Sequence, residues 1–236
     1  MDKQDLRERI WDALEETGTA RFPFPPHGRI PNFEGADRAA DRLADLDAWT
    51  DAEAIKSNPD APQLPVRRRA LREDKTVYMA VPRLRDEQCF IRLDPDALDD
   101  TDHAATIGGA AEEGEQVGPE EMESVDLIVA GSVAVDEQGG RVGKGEGYSD
   151  LEFAILREFG LVDDETTVVT TVHDLQVVEE EIPVEPTDVP LDVVVTPERT
   201  RRAGAAEKPS GIDWSVLGEE KRDEIPILAR LDPHST

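Results

Sequence analysis

Leu6, Ile10, Trp11 and Leu14 recur at helical spacing, Asp2 stands where a cap is needed and Gly18 where a stop is, so residues 2–17 predict a helix. The next stretch, from Arg21-Phe22-Pro23-Phe24-Pro25-Pro26 to His27-Gly28-Arg29-Ile30-Pro31, has too many prolines for a helix or an inner strand. It predicts an ordered extended loop whose aromatic rings pack. A second helix is predicted over 35–46, with Ala39, Ala40, Leu43 and Leu46 inward. Strands are then predicted at 52–56, 76–81, 88–93, 125–130, 166–171 and 191–196, with helices at 64–72 and 148–159. The segment Val125-Asp126-Leu127-Ile128-Val129-Ala130 is short, apolar and followed by Gly131, as a strand buried on both faces should be. Strands alternating with helices predict an α/β fold.

Residues 94–124 show no clear period and read as loop with at most one short helix. Residues 200–211 read as a linker, which divides the chain into a domain at 1–200 and an extension at 201–236. In that extension Trp214, Leu217, Ile225, Ile227, Leu228 and Leu231 predict a short helical appendage that covers core surface.

Composition narrows the setting. The 236 residues are 38% hydrophobic and 5% aromatic, so the core must come mainly from Val, Leu, Ile and Ala. One cysteine, Cys89, excludes an internal disulfide and gives no thiolate metal framework. No run approaches the roughly 18 apolar residues of a membrane span, and the charged start at Asp2-Lys3-Gln4-Asp5 lacks a secretory signal's apolar stretch. A reducing cytoplasm is the predicted location. Lys+Arg is 26 and Asp+Glu is 54, a net charge of −28. The acids are spread between periodic apolar positions rather than gathered in a tail, which predicts a folded surface adapted to concentrated salt. Such a chain lacks the basic face that general nucleic-acid binding requires.

Against that background one segment stands out: Gly139-Gly140-Arg141-Val142-Gly143-Lys144-Gly145-Glu146-Gly147-Tyr148-Ser149-Asp150, between a buried strand and a helix. Alternate glycines let backbone N–H groups approach a phosphate, and the following helix offers its positive end to the same anion. Arg141 and Lys144 add mobile charge. The spacing is neither a P-loop nor a dinucleotide fingerprint, and a ligand-free glycine-rich turn is an equal reading of it. Glu146 opposes phosphate unless it points away or meets a metal. Asp150 and Asp188 are candidate magnesium ligands, though on the residues alone solvated surface carboxylates are the better reading of both.

Three segments in order resemble the 5-formyltetrahydrofolate cyclo-ligase (5,10-methenyltetrahydrofolate synthetase) family across about residues 2–200: Lys3-Gln4-Asp5-Leu6-Arg7, then Asp126-Leu127-Ile128-Val129 with Arg141–Asp150, then Pro183 to Asp192 with Asp188 inside it. The resemblance implies a three-layer α/β/α sandwich around a mixed, largely parallel sheet, with the short helical extension beyond it. It implies ATP- and Mg²⁺-dependent cyclisation of 5-formyltetrahydrofolate, or a related reduced-folate pterin, to the 5,10-methenyl form with release of ADP and phosphate. ATP would phosphorylate the formyl oxygen, N10 would attack the resulting carbon, and phosphate would leave.

Position by position, the resemblance implies that Lys3, Arg7, Arg141, Gly143, Lys144, Gly145, Gly147 and Tyr148 bind the nucleotide. Arg141, Lys144 and Tyr148 would form the catalytic set; Asp60, Lys144, Gly147 and Tyr148 would face the pterin; Asp150 and Asp188 would hold the metal. Ser149 stands for a family tyrosine, Glu146 for a glycine, Asp60 for a glutamate, and Gln88-Cys89-Phe90 for a methionine-rich segment. The nucleotide side therefore matches more fully than the pterin side. A family paralogue that binds nucleotide, RNA or protein without catalysis is the alternative. Other motifs read structurally: Arg67-Arg68-Arg69 as a solvated helix face, His173-Asp174 as a loop pair, Cys89 as a thiol without an activator. Arg83 and Arg85 read equally as site or surface.

Overall fold

The computed structural model describes residues 2–204 and 206–233. The chain begins with α1 (Lys3–Glu16), the strand pair β1 (Ala20–Arg21) and β2 (Asn32–Phe33), and helices α2 (Ala36–Leu43) and α3 (Asp47–Thr50). Then come β3 (Ala54–Ser57), α4 (Leu64–Arg72), β4 (Thr76–Ala80), β5 (Phe90–Leu93), α5 (Thr101–Ala104), α6 (Ile107–Glu113) and β6 (Glu115–Val117). The second half holds β7 (Leu127–Ala130), β8 (Ala134–Asp136), β9 (Arg141–Val142), α7 (Tyr148–Glu158), β10 (Thr167–Thr171), β11 (Val177–Val178), β12 (Val193–Val195), β13 (Thr200–Arg202), α8 (Glu219–Glu224) and α9 (Pro226–Leu231).

Eight strands form the central sheet in the order β13-β12-β10-β7-β3-β4-β5-β6. Five strands, β12, β10, β7, β3 and β4, are mutually parallel; β13 and β5 run against them, and β6 pairs antiparallel with β5 at the edge. From β3 the chain winds outward to β4, then returns to β7 on the other side and continues to β10 and β12. The winding thus reverses between β3 and β7. In doubly wound sheets the carboxyl ends of the two strands at such a reversal diverge and leave a crevice.

Strand pleating sorts the core into two layers. In β7, Leu127 and Val129 face the cluster that holds α2 and α4, whereas Ile128 and Ala130 face the cluster that holds α7 and α9. An apolar cluster thus covers each face of the sheet, and the fold is the α/β/α sandwich with a mixed, largely parallel sheet. On one side α1 packs Leu6, Ile10, Trp11 and Leu14 against Val133, Ala134 and Val142 of the small sheet β11-β8-β9. No helix among the described residues is long and apolar enough to cross a membrane.

Several expectations change. Residues 94–124 hold two short helices and the edge strand β6 rather than a loop. Residues 200–202 are not linker: β13 pairs with β12, Val193 opposite Arg202. The second helix ends at Leu43, because the Leu46 N–H folds back to the Leu43 carbonyl at 3.1 Å before α3 begins. Phe22 and Phe24 are not packed; they are 77% and 58% exposed. Their loop is ordered instead by polar contacts, from Asn32 Nδ2 to the Phe22 carbonyl at 2.8 Å and between His27 and Asp12 at 2.9 Å.

The largest correction concerns Arg67, which is buried rather than solvated. Its Nε donates to the Ala105 carbonyl at 2.9 Å, Nη1 to those of Asn58 at 2.6 Å and Asp60 at 3.2 Å, and Nη2 to that of Pro59 at 3.2 Å. Once β3 ends, these carbonyls have no ladder partner, and a planar fork of donors satisfies them together. Burial, only partly offset by the Asp60 charge, brings the guanidinium down to about 10. Arg69 does behave as expected, pairing with Asp41 and Glu73 in solvent. Arg67→Met strands the carbonyls after β3, and a loss of about 3 kcal/mol in denaturant-monitored stability is expected; a loss well under 1 kcal/mol would show that water replaces the fork.

Candidate functional site

A cavity of about 470 Å³ opens where the sheet winding reverses. Asn58, Pro59 and Asp60 from the end of β3, Val81 and Pro82 from the end of β4, and Gly131 from the end of β7 all line it. One wall is apolar, made by Met79, Val81, Ile91, Ile107 and Ala111. Cys89 and Phe90 lie fully in the core, so they do not supply that wall. The glycine bend, with Arg141, Lys144, Tyr148 and Asp150, lines the cavity as well.

The bend starts where the chain leaves β9. Gly145 at φ 107° and Gly147 at φ 67° adopt conformations that side chains resist, and Gly147 then caps α7. From α1, Arg7 Nε donates to the Gly143 carbonyl at 2.7 Å, and its guanidinium lies 3.5 to 3.7 Å from where a Cβ on Gly145 would sit. From the extension, Lys221 Nζ donates to the Glu146 carbonyl at 2.7 Å and lies 5.0 Å from the Tyr148 ring centre. Lys144 pairs with Glu146 at 2.8 Å, and Arg83 approaches the same carboxylate at 3.8 Å. Arg83 thus belongs to the cavity wall, whereas Arg85 pairs with Glu224 of the extension.

Arg141 is buried and spans three segments. It donates to Asp150 Oδ1 at 2.5 Å, to the Gly131 carbonyl at 3.3 Å and to the Val189 carbonyl at 3.3 Å, while the Val189 N–H donates to Asp150 Oδ1 at 2.9 Å. Asp188 Oδ2 accepts from Lys3 Nζ at 2.8 Å and from the Glu185 N–H at 3.0 Å. Lys3 and Asp188 pair outside the cavity wall, one residue along the chain from the Arg141–Asp150–Val189 lock. In each of the two aspartates one oxygen carries these contacts; the other makes no hydrogen bond among the described residues. Among those residues no group of three or more His, Cys, Asp or Glu is arranged for a metal. Two hard oxygen donors still suit Mg²⁺, which takes only one or two carboxylates when phosphates complete its shell.

Buried charge beside the cavity was not expected from the sequence. Lys56 in β3 is 1% exposed and Glu152 in α7 is 5% exposed, and they form an ion pair. A lysine inside Ala54-Ile55-Lys56-Ser57 and a glutamate inside Leu151-Glu152-Phe153-Ala154 were the available signals. Asn58 Oδ1 accepts from the Gly131 N–H at 3.2 Å and from Ser149 Oγ at 3.4 Å, tying β3, β7 and α7 together. Burial pushes the Asp60 carboxyl up against the opposing charges of Lys144, Arg67 and Lys56. Burial would lower the Lys144 ammonium, yet Glu146, Asp60 and Glu152 outweigh it and hold it above its ordinary range.

The structural readings of two other residues hold. His173 Nδ1 accepts from the Leu175 N–H at 3.2 Å in a tight turn, and burial lowers the ring's proton affinity. Cys89 is buried, and its thiol is pushed up to about 12.

Two outcomes are expected. Lys56→Met alone leaves Glu152 buried without its partner and lowers stability by about 3 to 5 kcal/mol, whereas the double variant Lys56→Met, Glu152→Leu recovers most of it; urea titrations of both check this. For Asp60, a carboxyl raised in the folded state binds its proton more tightly folded than unfolded, so stability declines as pH climbs from the ordinary 3.8 through the raised value. Asp60→Asn should flatten that decline relative to the parent chain, and parallel curves would dismiss the effect.

Residues 1–197 match the model of the 5-formyltetrahydrofolate cyclo-ligase family. A Bos taurus methenyltetrahydrofolate synthase domain-containing protein is 44% identical over 236 residues, covering 98% of this chain and 62% of the bovine one. The chain therefore spans less than two thirds of that relative's length. A 5-formyltetrahydrofolate cyclo-ligase of Escherichia coli (strain K12) is 36% identical over 78 residues, 33% of this chain and 40% of that one. The solution structure of Aquifex aeolicus 5,10-methenyltetrahydrofolate synthetase shares the fold, with a TM-score of 0.55 at 21% identity over 93% of this chain and 98% of that one. With the family model covering every strand whose end lines the cavity, this chain belongs to the 5-formyltetrahydrofolate cyclo-ligase family.

Proposed function

We propose that the chain cyclises 5-formyltetrahydrofolate, or a related formyl-pterin, to the 5,10-methenyl form with ATP and Mg²⁺, releasing ADP and phosphate. The observation that carries this reading is one cavity lined both by apolar side chains and by a glycine bend flanked by Arg7, Arg141 and Lys144. The bend and the amino end of α7 present backbone N–H groups to a polyphosphate, and the three cations balance its charge. Asp150 and Asp188 supply hard oxygens for Mg²⁺, which would offset charge on the phosphates when bound.

Phosphoryl transfer of this kind asks the protein for alignment and charge balance rather than a nucleophile. Transfer of the γ-phosphoryl group to the formyl oxygen makes the formyl carbon electrophilic; N10 then bonds to that carbon and inorganic phosphate departs. In this assignment Arg141 and Lys144 steady the phosphoryl oxygens, while Gly147 and Tyr148 abut the pterin. Asp60 meets the polar edge of the pterin ring. Met79, Val81 and Ile91 keep water from the activated carbon, where hydrolysis would waste the ATP.

Purified protein in concentrated potassium chloride, given Mg·ATP and 5-formyltetrahydrofolate, should develop the near-ultraviolet absorbance of the methenyl product. Asp150→Asn should cut kcat/KM by about 100-fold or more, with thermal melting as the control for the Arg141 contact. Nucleotide binding without turnover would favour the non-catalytic reading; neither binding nor turnover would overturn the proposed reaction and leave only a paralogue that binds RNA or protein.

A further inference from the structure

The glycine bend has little stiffness of its own. Gly143, Gly145 and Gly147 carry the largest backbone entropy of any residue type, and two of them sit at positive φ. Among the described residues, the carbonyls of 143 to 146 receive hydrogen bonds at two points: Arg7 on Gly143 and Lys221 on Glu146. Each donor is a cation on a helix outside the bend, one near each end of the chain. Arg7 lies inside the segment matched by the family model; Lys221 lies beyond its limit at residue 197.

Lys221 is not the tip of a loose tail. Ile225, Ile227 and Leu228 are fully buried in the cluster that contains Phe153, Ile155 and Leu156 of α7. Arg85 pairs with Glu224 at 3.3 Å, and Arg230 pairs with Glu120. The extension is thus fixed to the same helix that follows the bend. Lys221 is half-buried, and its ammonium lies 3.2 Å from the place a Gly147 Cβ would occupy. An ammonium withdrawn from water needs strong replacement contacts, here a carbonyl and an aromatic face.

We propose that residues 206–233 act as a clamp in cis, with Lys221 as a positioning residue that holds the bend in the form that accepts a polyphosphate. Lys221 touches the backbone of Glu146 and the ring of Tyr148, not the cavity itself, and so acts through them. The effect on nucleotide affinity rests on the function proposed above; the effect on the bend does not.

The test compares the full chain with Lys221→Met and Lys221→Arg. Amide hydrogen exchange without ligand reads the bend, and calorimetric titration with Mg·ADP reads affinity. The clamp predicts faster exchange in Lys221→Met confined to peptides covering 143–150, with binding weaker by about tenfold. In Lys221→Arg, whose guanidinium can still reach a carbonyl and a ring face, both should return near the parent values. Unchanged exchange in Lys221→Met overturns the proposal. So does acceleration that extends equally to β7, which marks general destabilisation. If the parent chain binds no nucleotide, the proposed function fails on its own, and the exchange comparison still decides the clamp.

Discussion

Arg141 is the joint on which the cavity depends. Its guanidinium reaches the carbonyl after β7, the turn before β12 and the first turn of α7 through Asp150. Those three segments leave the sheet at different places, and without a shared partner their polar ends would face a low-dielectric interior unpaired. A planar fork with several donors can satisfy them at once, which a lysine ammonium could not do with the same geometry. Asp150, 2.5 Å away, pairs with this buried guanidinium. Arg67 repeats the device at the end of β3. Two buried guanidinium forks therefore hold the strand ends around the crevice.

The acidity of the chain sharpens this reading. With 26 basic residues against 54 acidic ones, a random surface would rarely gather cations. Yet Arg7, Arg83, Arg141, Lys144 and Lys221 all meet the bend or its flanks. Elsewhere basic side chains are mostly tied to carboxylates in solvent, pairs that add little stability each. The cations at the bend sit among carboxylates, Asp60, Glu146, Asp150 and Glu152, so the bend gathers paired charge of both signs rather than a bare positive patch.

How much of this could be read from the sequence depended on whether a signal was local. The helix at 64–72 and the strand around Leu127–Ala130 were legible because a short periodic or apolar run carries its own pattern. The glycine bend was legible because its composition is unusual within a few residues. The region 94–124 was not, since α5 and α6 are short and two glycines interrupt the pattern; Gly109 is required because a Cβ there would collide with the His103 carbonyl. The strand β13 reads as charged linker because an edge strand facing water has no apolar alternation to show. Lys56, Glu152, Asn58 and Lys221 meet only through long-range packing. Periodicity has nothing to say about which lysine crosses from a carboxyl-terminal helix to a loop 75 residues earlier.

Glu146 illustrates how structure resolves what sequence leaves as a contradiction. A carboxylate inside a bend proposed to bind phosphate looks like an obstacle, because like charges at such distances repel strongly where water is scarce. Here the side chain is held by Lys144 at 2.8 Å with Arg83 beyond it, so its charge is already spent on neighbouring cations rather than projected at the backbone amides. Its own carbonyl, meanwhile, is the anchor for Lys221. A glycine at this position could offer the carbonyl but not the counter-ion. In a chain that keeps few cations, the carboxylate fixes where Lys144 rests when no anion is near. That makes Glu146 an internal counter-ion of the bend.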